Sequence, residues 1–189
     1  MRLASLFTVL VAPLSLGCVF VDRESYETGE TGTATFWNLS REELYLDGCS
    51  PHGFEKLEAR GWTDRGPTQV CVWEGFAQPV APRETATAAF GAPDESGTWR
   101  LATTYGRGCD PQQPLAPSHC EAILEAHSSP FEVVELCDPG ACGPQLGMPN
   151  ILCPDGIHVA GPTDRCLRDP ETRACGWEIL SCPEEKGSG

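Results

Sequence analysis

The chain lacks the residue patterns on which most metal sites and catalytic centres depend. No Cys-x-x-Cys pair occurs, and no two of its four histidines stand at ligand spacing: His52, His119, His127 and His158. A Gly-x-Ser-x-Gly elbow, a His-Glu-x-x-His motif, a glycine-rich phosphate loop and a dinucleotide fingerprint are also missing. We therefore expect no catalytic residues, no metal site and no cofactor, and we interpret the chain as a protein that is not an enzyme.

Basic residues are scarce as well. The 189 residues include 13 lysines and arginines against 27 aspartates and glutamates, which gives a formal net charge of -14. Because nucleic acids and anionic membrane surfaces are themselves negative, this balance disfavours both, and we expect no nucleic-acid partner. The acids are scattered in ones and twos, as at Glu42-Glu43, which is typical of a solvated surface.

Long apolar runs are missing apart from the first residues of the chain. The run from Leu3 to Leu16 follows the positive start Met1-Arg2. It is too short, and too soon followed by charge, to be a permanent membrane-spanning helix. We therefore interpret residues 1–17 as a cleavable signal peptide, which predicts an exported protein.

The end of this run, Leu14-Ser15-Leu16-Gly17-Cys18, resembles a bacterial lipobox, although the family prefers leucine where Ser15 stands. The resemblance implies that Cys18 becomes the first residue and carries acyl chains such as palmitate. Residues 18–31 would then form the lipidated N-terminus and a tether, in a lipoprotein anchored at the outer membrane. An ordinary signal peptidase could instead accept Ser15-x-Gly17, and the protein would be secreted if Cys18 is not lipidated. Removing Cys18 from eleven cysteines leaves ten, which can pair completely, and this favours lipidation.

The ten remaining cysteines predict disulfides, because exported proteins use cysteines as cross-links. Four lie before residue 137 and six after it: Cys49, Cys71, Cys109, Cys120, and Cys137, Cys142, Cys153, Cys166, Cys175, Cys182. Each set is even and can close internally, by three and fifteen possible connectivities respectively. In the first set we favour Cys49–Cys71 and Cys109–Cys120, because each pair closes a modest loop between neighbouring predicted strands.

Between residues 32 and 136 the pattern is mainly β. Short alternating runs separated by turn residues predict seven strands, over 32–38, 43–47, 54–59, 69–73, 85–90, 98–105 and 130–136. Residues 118–124 fit either a helical turn or a short strand. The motifs Thr-Phe-Trp-Asn-Leu-Ser (35–40), Leu-Asp-Gly-Cys (46–49), Pro-Val-Ala-Pro (79–82) and Gly-Thr-Trp-Arg-Leu (97–101) resemble immunoglobulin-like modules of bacterial envelope proteins. The resemblance implies an antiparallel β-sandwich over residues 32–136.

After Leu136 the composition changes to cysteine, glycine and proline. A segment of this length cannot bury enough apolar surface to fold on its core alone, so cross-links must compensate. Residues 137–183 resemble a small cysteine-rich module found at the ends of bacterial lipoproteins, which implies a disulfide-rich domain without an assigned activity. We expect residues 184–189 to form a flexible tail.

Two functional hypotheses follow. The first is a non-catalytic envelope protein, with a binding or structural role, that is held at a membrane by its lipid anchor and contacts an envelope or extracellular protein. The alternative is a protease inhibitor, in which a disulfide-held basic loop with Arg165, Leu167 and Arg168 is presented to a trypsin-like enzyme.

Overall fold

The structure is a computed structural model that describes residues 16–73, 75–145, 147 and 149–183. Of the expected signal peptide 1–17, residues 1–15 lie outside these ranges, as does the expected tail 184–189, whereas Leu16 and Gly17 are described and Gly17 is the first residue of a strand. Within them the chain is mainly β, with one short 3-10 helix at Pro139–Cys142 and these strands: β1 Gly17–Val21, β2 Ser25–Glu27, β3 Thr31–Asn38, β4 Leu44–Leu46, β5 His52–Glu58, β6 Gly61–Pro67, β7 Gln78–Val80, β8 Thr85–Gly91, β9 Gly97–Arg107, β10 Ala122–His127, β11 Phe131–Leu136, β12 Ile151–Leu152, β13 Val159–Arg168 and β14 Cys175–Leu180. No helix in the described ranges is long and apolar enough to cross a membrane.

A small sheet is formed by β1, β3 and β8, paired antiparallel in the order β1-β3-β8. Strand β3 alternates between exposed and buried residues, because its threonines face outward while Ala34 and Phe36 face the interior. Its partners follow the same alternation, with Val19 of β1 and Phe90 of β8 turned inward. The sheet therefore has one apolar inner face and one outer face.

The larger sheet is built around β9, the longest strand. One edge of β9 pairs with β4 and β5, and the other edge pairs with β10 and β11. Every second residue of β9 is buried, namely Trp99, Leu101, Thr103 and Tyr105. This alternation turns the inner face of the larger sheet toward the small sheet.

Aromatic side chains fill the space between the two sheets. Phe36 of the small sheet lies 5.2 Å from Tyr105 of the larger sheet, measured between ring centroids. Phe90 packs in the same way on Phe54 at 6.0 Å, and Phe54 packs edge-on against Trp99 at 5.9 Å. Such pairs stabilise a core beyond the area that they bury. One apolar cluster therefore unites both sheets.

Asn38 joins the end of β3 to the turn between β7 and β8. Its side-chain carbonyl accepts bonds from the backbone N–H and the hydroxyl of Ser40, while Nδ2 lies 2.8 Å from the carbonyl oxygens of Glu42 and Val80. Asn38 is fully buried. A buried amide is stable only when its donors and acceptors are paired, and here they are.

Residues 22–31, expected to form a tether, are instead part of the folded region. Strand β2 pairs in parallel with β11, so that Tyr26 lies opposite Val133 and is 1% exposed. The carboxylate of Asp22 accepts bonds from the Tyr26 hydroxyl and the Thr33 N–H, at 2.8 and 2.7 Å. The tether prediction was wrong because a buried tyrosine and its hydrogen bonds fix this segment against the sheets.

Six of the seven expected strands are present, and the remaining one is a loop. Residues 69–73 form no strand, and Val70 and Val72 are fully exposed there. Strands β6 and β7 were not expected from the sequence. The segment that fitted either a helical turn or a short strand contains strand β10 from Ala122 onward.

Within the described residues, ten cysteines form five disulfides. Cys49–Cys71 and Cys109–Cys120, the two pairs favoured by the sequence, are both present. The later cysteines pair as Cys137–Cys175, Cys142–Cys166 and Cys153–Cys182. Gly106 packs directly against both sulfurs of the Cys109–Cys120 bridge, where a Cβ atom would overlap them. Five disulfides mark a protein of an oxidising compartment, as expected for export.

Residues 137–183, called here the terminal segment, have few buried side chains. The three hydrophobic residues of this segment that are buried in the described structure are Cys137, Cys153 and Cys166. Strand β13 pairs with β14 and also with the last two residues of β11, so the terminal segment extends the larger sheet. An ion pair between Arg168 and Glu135, at 2.7 Å, spans the same junction.

Candidate functional site

Cys18 lies within β1, directly opposite Trp37 of β3. Among the eleven cysteines, all of them in the described part of the chain, it alone is unpaired. Its side chain points to the outer face of the small sheet, since Val19 next to it points inward. Phe20 follows two residues later and shares this outer face. Phe20 and Trp37 are 47% and 40% exposed.

The outer face of the small sheet is uncharged, and we call it the Cys18 face. Strand alternation places ten residues of the three fully described strands on it: Cys18, Phe20, Thr31, Thr33, Thr35, Trp37, Thr85, Thr87, Ala89 and Gly91. None of these ten residues is acidic or basic. In a chain of net charge -14, the Cys18 face is a neutral, threonine-rich area around two exposed aromatic rings.

An arginine-rich cavity of about 430 Å³ lies beside the start of β1. Its lining among the described residues includes Leu16, Glu42 and three arginines, Arg41, Arg83 and Arg107. The Nε atom of Arg107 is buried without a hydrogen-bond partner in the described structure, and a carboxylate oxygen of Glu42 lies 3.8 Å from it. The cavity thus combines apolar lining at Leu16 with a local excess of positive charge.

A second cavity, of about 480 Å³, lies on the outer face of the larger sheet, and we call it the groove. Its floor is formed by β5 and β9, where Gly53 lies opposite Ala102. Small side chains at these positions leave a depression between the β5–β6 hairpin and β10. Glu125 lines this groove and also a further cavity of about 400 Å³ with His127, Cys18 and Phe20, so the groove reaches the β1–β10 edge at which Cys18 lies.

Charged side chains meet at one end of the groove. His127 Nε2 lies 3.4 Å from Glu55 Oε2 and 3.7 Å from Glu125 Oε1. Arg100 donates a hydrogen bond to the same oxygen of Glu55, and its guanidinium lies 4.4 Å from the centroid of the Trp62 ring. The cluster is therefore a paired charge network that can contact a polar or cationic group.

This cluster also has the residue types of a metal site. One ligand atom from each of Glu55, Glu125 and His127 lies within 4.8 Å of the others. The carboxylate of Glu55 is already neutralised by Arg100, however, so a divalent cation would have to compete with a guanidinium for the same oxygen. We assign the cluster to charge pairing on this basis.

Sequence reasoning missed the groove cluster for a definite reason. Glu125 and His127 are two residues apart, which places both on one face only if the segment is a strand. The sequence of residues 118–124 fits a helical turn as well as a strand, so the strand alternation of Glu125 and His127 could not be recognised. Glu55 belongs to a different strand, and only the pairing of β5 and β10 on opposite edges of β9 brings it to His127.

The other three histidines lie apart from the groove cluster. His52 is 3% exposed, and its Nδ1 lies 2.6 Å from the hydroxyl of Thr103 inside the core. Burial lowers the pKa of His52 to about 4. His119 contacts the carbonyl of Pro114, and His158 contacts Asp155 within an exposed turn. These contacts are structural pairings.

The expected inhibitory loop is not a loop. Arg165, Leu167 and Arg168 all lie in β13, and Leu167 pairs with both Leu136 and Gly176. Arg168 bonds to Glu135, and Arg165 lies 3.6 Å from a carboxylate oxygen of Glu178. A protease binds an extended, exposed loop, whereas Leu167 and Arg168 are paired with strands on both sides, and Arg165 and Arg168 each lie beside a carboxylate. The loop prediction was wrong.

Comparisons with known proteins give no family for this chain. No family model matches it, and no curated protein matches it. Similar solved structures include the Northeast Structural Genomics Consortium target SoR45, with 18% identity, a TM-score of 0.38 and coverage of 71% of this chain and 96% of that chain.

Two further solved structures are similar over part of the chain. PapD-like domain 7 of human CEP192 has 13% identity, a TM-score of 0.29 and coverage of 71% of this chain and 97% of that chain. The Pseudomonas fluorescens alkylpurine DNA glycosylase AlkC, bound to DNA containing an abasic site analog, has 12% identity, a TM-score of 0.30 and coverage of 62% and 30%. Similarity at this level carries no argument about function.

Proposed function

We propose that this chain is an exported, lipid-anchored and non-catalytic envelope protein, in which an immunoglobulin-like module presents a binding surface to another envelope or extracellular protein. The five disulfides and the antiparallel two-sheet core support an exported β module. The finer assignment to the immunoglobulin-like class rests on the sequence motifs around Asn38 and Trp99. The Asn38 hydrogen bonds to Ser40 and Val80, which join two of those motifs, agree with it.

The pairing of the cysteines is the observation that carries this proposal. Of the eleven cysteines, each within the described ranges, ten are bridged and Cys18 is left over. An unmodified thiol in an oxidising compartment is prone to mispairing, whereas a thioether-linked acyl group removes it. The unpaired position is also the one that the lipobox-like sequence specifies.

The groove supports the binding part of the proposal. It is a concave area on the outer face of the larger sheet, whereas the side chain of Cys18 projects from the outer face of the small sheet. Its floor of small residues and the carboxylates of Glu55, Asp64 and Glu125 in its lining combine a concave shape with charges that can fix orientation. We infer a protein partner whose contacting surface carries basic side chains.

The anchoring proposal is tested by mass spectrometry of the mature chain from a bacterial host. We expect the first residue to be Cys18 with a diacylglycerol mass, and the precursor to accumulate when lipoprotein signal peptidase is inhibited with globomycin. A Cys18→Ser variant is the control, and it should carry no acyl mass. A mature wild-type chain without acyl groups, and insensitive to the inhibitor, would refute the anchor.

The binding part is tested by cross-linking the anchored protein in intact envelopes. Replacing Ala102 with arginine fills the floor of the groove and should abolish a cross-link that forms with the native chain. Ala59→Arg, at an exposed position of the β5–β6 hairpin, is the matched control and should leave the cross-link unchanged. Equal cross-linking by both variants would exclude the groove as the binding surface.

A further inference from the structure

We propose that the Cys18 face lies directly on the phospholipid surface in which the acyl chains of Cys18 are embedded. The inference rests on the anchoring proposed above, and it adds which face of the protein contacts the bilayer. The binding partner of this face, and of the arginine-rich cavity beside it, is an anionic phospholipid surface.

The first argument is the missing spacer. Residues 22–31 are packed against the sheets, and Cys18 itself is the second residue of β1, paired with Trp37. If cleavage occurs before Cys18, the chain begins inside a strand, and its acylated sulfur projects from the Cys18 face. An anchor without a flexible linker holds the surrounding face within side-chain distance of the lipid headgroups.

The second argument is the pair of exposed aromatic rings. Phe20 and Trp37 flank Cys18 on the same face, one along β1 and the other across the ladder. The indole Nε1 of Trp37 donates to the carbonyl of Arg83, at 3.4 Å, so its polar end is paired while the ring remains exposed. Tryptophan and phenylalanine at an exposed position favour the boundary between headgroups and acyl chains.

The third argument is the distribution of charge. A net charge of -14 disfavours contact with an anionic membrane for the molecule as a whole. The Cys18 face is the exception, because its ten outward residues include no carboxylate. Contact through this face therefore keeps electrostatic repulsion small. The carboxylate of Glu125, which lines a cavity with Cys18 and Phe20 at the β1 edge, lies 3.7 Å from His127.

The fourth argument is the arginine-rich cavity at the edge of the same face. Arg41 and Arg83 are exposed, and Arg107 leaves its Nε atom without a hydrogen-bond partner among the described residues. Guanidinium groups pair with phosphate through two parallel hydrogen bonds, which a headgroup phosphate can accept. Cleavage before Cys18 would also remove Leu16 from the lining, which opens the cavity beside the acylated residue.

The contact is tested by brominated-lipid quenching of tryptophan fluorescence. The probe is the acylated full-length mature chain in vesicles of phosphatidylethanolamine and phosphatidylglycerol, in which part of the lipid is brominated near the headgroup. We expect strong quenching of the native chain and loss of most of that quenching in Trp37→Phe. Trp73→Phe is the matched control, because Trp73 is 56% exposed in a loop outside the Cys18 face. The fluorescence of this variant should be quenched as strongly as that of the native chain.

The arginine contribution is tested in the same vesicles. Replacing Arg41 and Arg83 together with glutamine should lower the quenching of Trp37 in phosphatidylglycerol vesicles and have little effect in pure phosphatidylcholine. The double replacement of Arg60 and Arg65, in the β5–β6 hairpin, is the control and should change neither value. Quenching that persists in Trp37→Phe would place another face on the bilayer and overturn the proposal.

The acyl mass of each sample separates this inference from the anchoring proposal. If the native chain is acylated but the fluorescence of Trp37 is not quenched, the proposed contact of the Cys18 face with the bilayer is refuted, whereas the lipid anchor is supported. A chain without acyl mass refutes the anchor. The unacylated chain can then be tested for flotation with the same anionic vesicles. Flotation that is reduced by Trp37→Phe and by the Arg41 and Arg83 replacements would still support contact through the Cys18 face. Absence of flotation would refute both the anchor and this contact.

Discussion

The two-sheet region and the terminal segment reach a folded state by different means. Residues 16–136 enclose an aromatic core, in which Phe36, Phe90 and Phe131 are at most 3% exposed. In the terminal segment several large apolar residues, including Ile151, Ile157 and Ile179, are more than half exposed, and buried cysteines take the place of a core. The same covalent bond therefore reinforces one region and is a condition of folding for the other.

The largest expected effect is on the terminal segment. Replacing its six cysteines with alanine should unfold residues 137–183, because little apolar burial remains to offset their conformational entropy. Trp177, whose Nε1 donates to the Gly143 carbonyl, should become fully solvent-exposed. Limited proteolysis should then remove this segment and leave the two-sheet region intact.

The matched control exchanges the four cysteines of the other region. Alanine at Cys49, Cys71, Cys109 and Cys120 should leave the two-sheet region folded and resistant to the same protease. If both variants are digested alike, the distinction between the regions is wrong.

The next effect concerns the apolar core. Phe36→Ala should lower the free energy of unfolding of the two-sheet region by about 3–5 kcal/mol, because it leaves a cavity between the sheets. Urea denaturation followed by Trp99 fluorescence measures this change. Phe76→Ala, at a 53% exposed position, should change it by less than about 1 kcal/mol. A comparable loss in both variants would mean that the aromatic core is not what stabilises this region.

Removing a single bridge from the two-sheet region should have a smaller effect. The double replacement of Cys49 and Cys71 with serine should cost roughly 2–4 kcal/mol, since the bridge restricts a loop in the unfolded chain. Trp99 should keep its native emission, because the core on which it packs lies apart from this bridge. Loss of the native emission in buffer would show that the core depends on the bridge.

The smallest expected effect is a dependence on pH. His52 has a pKa of about 4 in the folded state and about 6.5 when unfolded, so the unfolded chain binds a proton first as the pH falls. The contribution of His52 to stability is therefore fully present above pH 6.5, is lost as the pH falls from 6.5 to 4, and should decrease by about 2 kcal/mol between pH 7.5 and pH 5. Urea midpoints should show this slope in the native chain and in His119→Gln, but not in His52→Gln.

The terminal segment should lack that slope. Asp155 accepts hydrogen bonds from the backbone N–H groups of Ile157 and His158, which lower its pKa to about 2, so it stays ionised across the same pH range. Trp177 fluorescence measured from pH 7.5 to pH 5 should be constant. A parallel loss in both regions would indicate that they unfold as one unit.

Local alternation in the sequence was enough to predict most of the core. The run around Phe36 places the phenylalanine inward and Trp37 outward, and β9 shows the same period of two. The modest loops between neighbouring predicted strands favoured Cys49–Cys71 and Cys109–Cys120, and both bridges are present. These features depend on neighbours in the chain, and a sequence displays them directly.

Features that depend on distant partners could not be predicted. Tyr26 is a single aromatic residue in an acidic stretch, and it is buried only because β11 lies beside it. Val70 and Val72 alternate like a strand, yet no strand pairs with them in the described structure, and the Cys49–Cys71 bridge fixes their loop. The groove needed β5 and β10 to be placed on opposite edges of β9, which no local pattern encodes.

Hydrogen exchange of the native chain, measured by mass spectrometry with and without reductant, tests the difference between the two regions most directly. In reductant, we expect peptides from residues 137–183 to exchange at the rate of an unfolded chain, while peptides from β3 and β9 stay protected. Protection that survives reduction in the terminal segment, or that is lost equally in β3 and β9, would contradict the account.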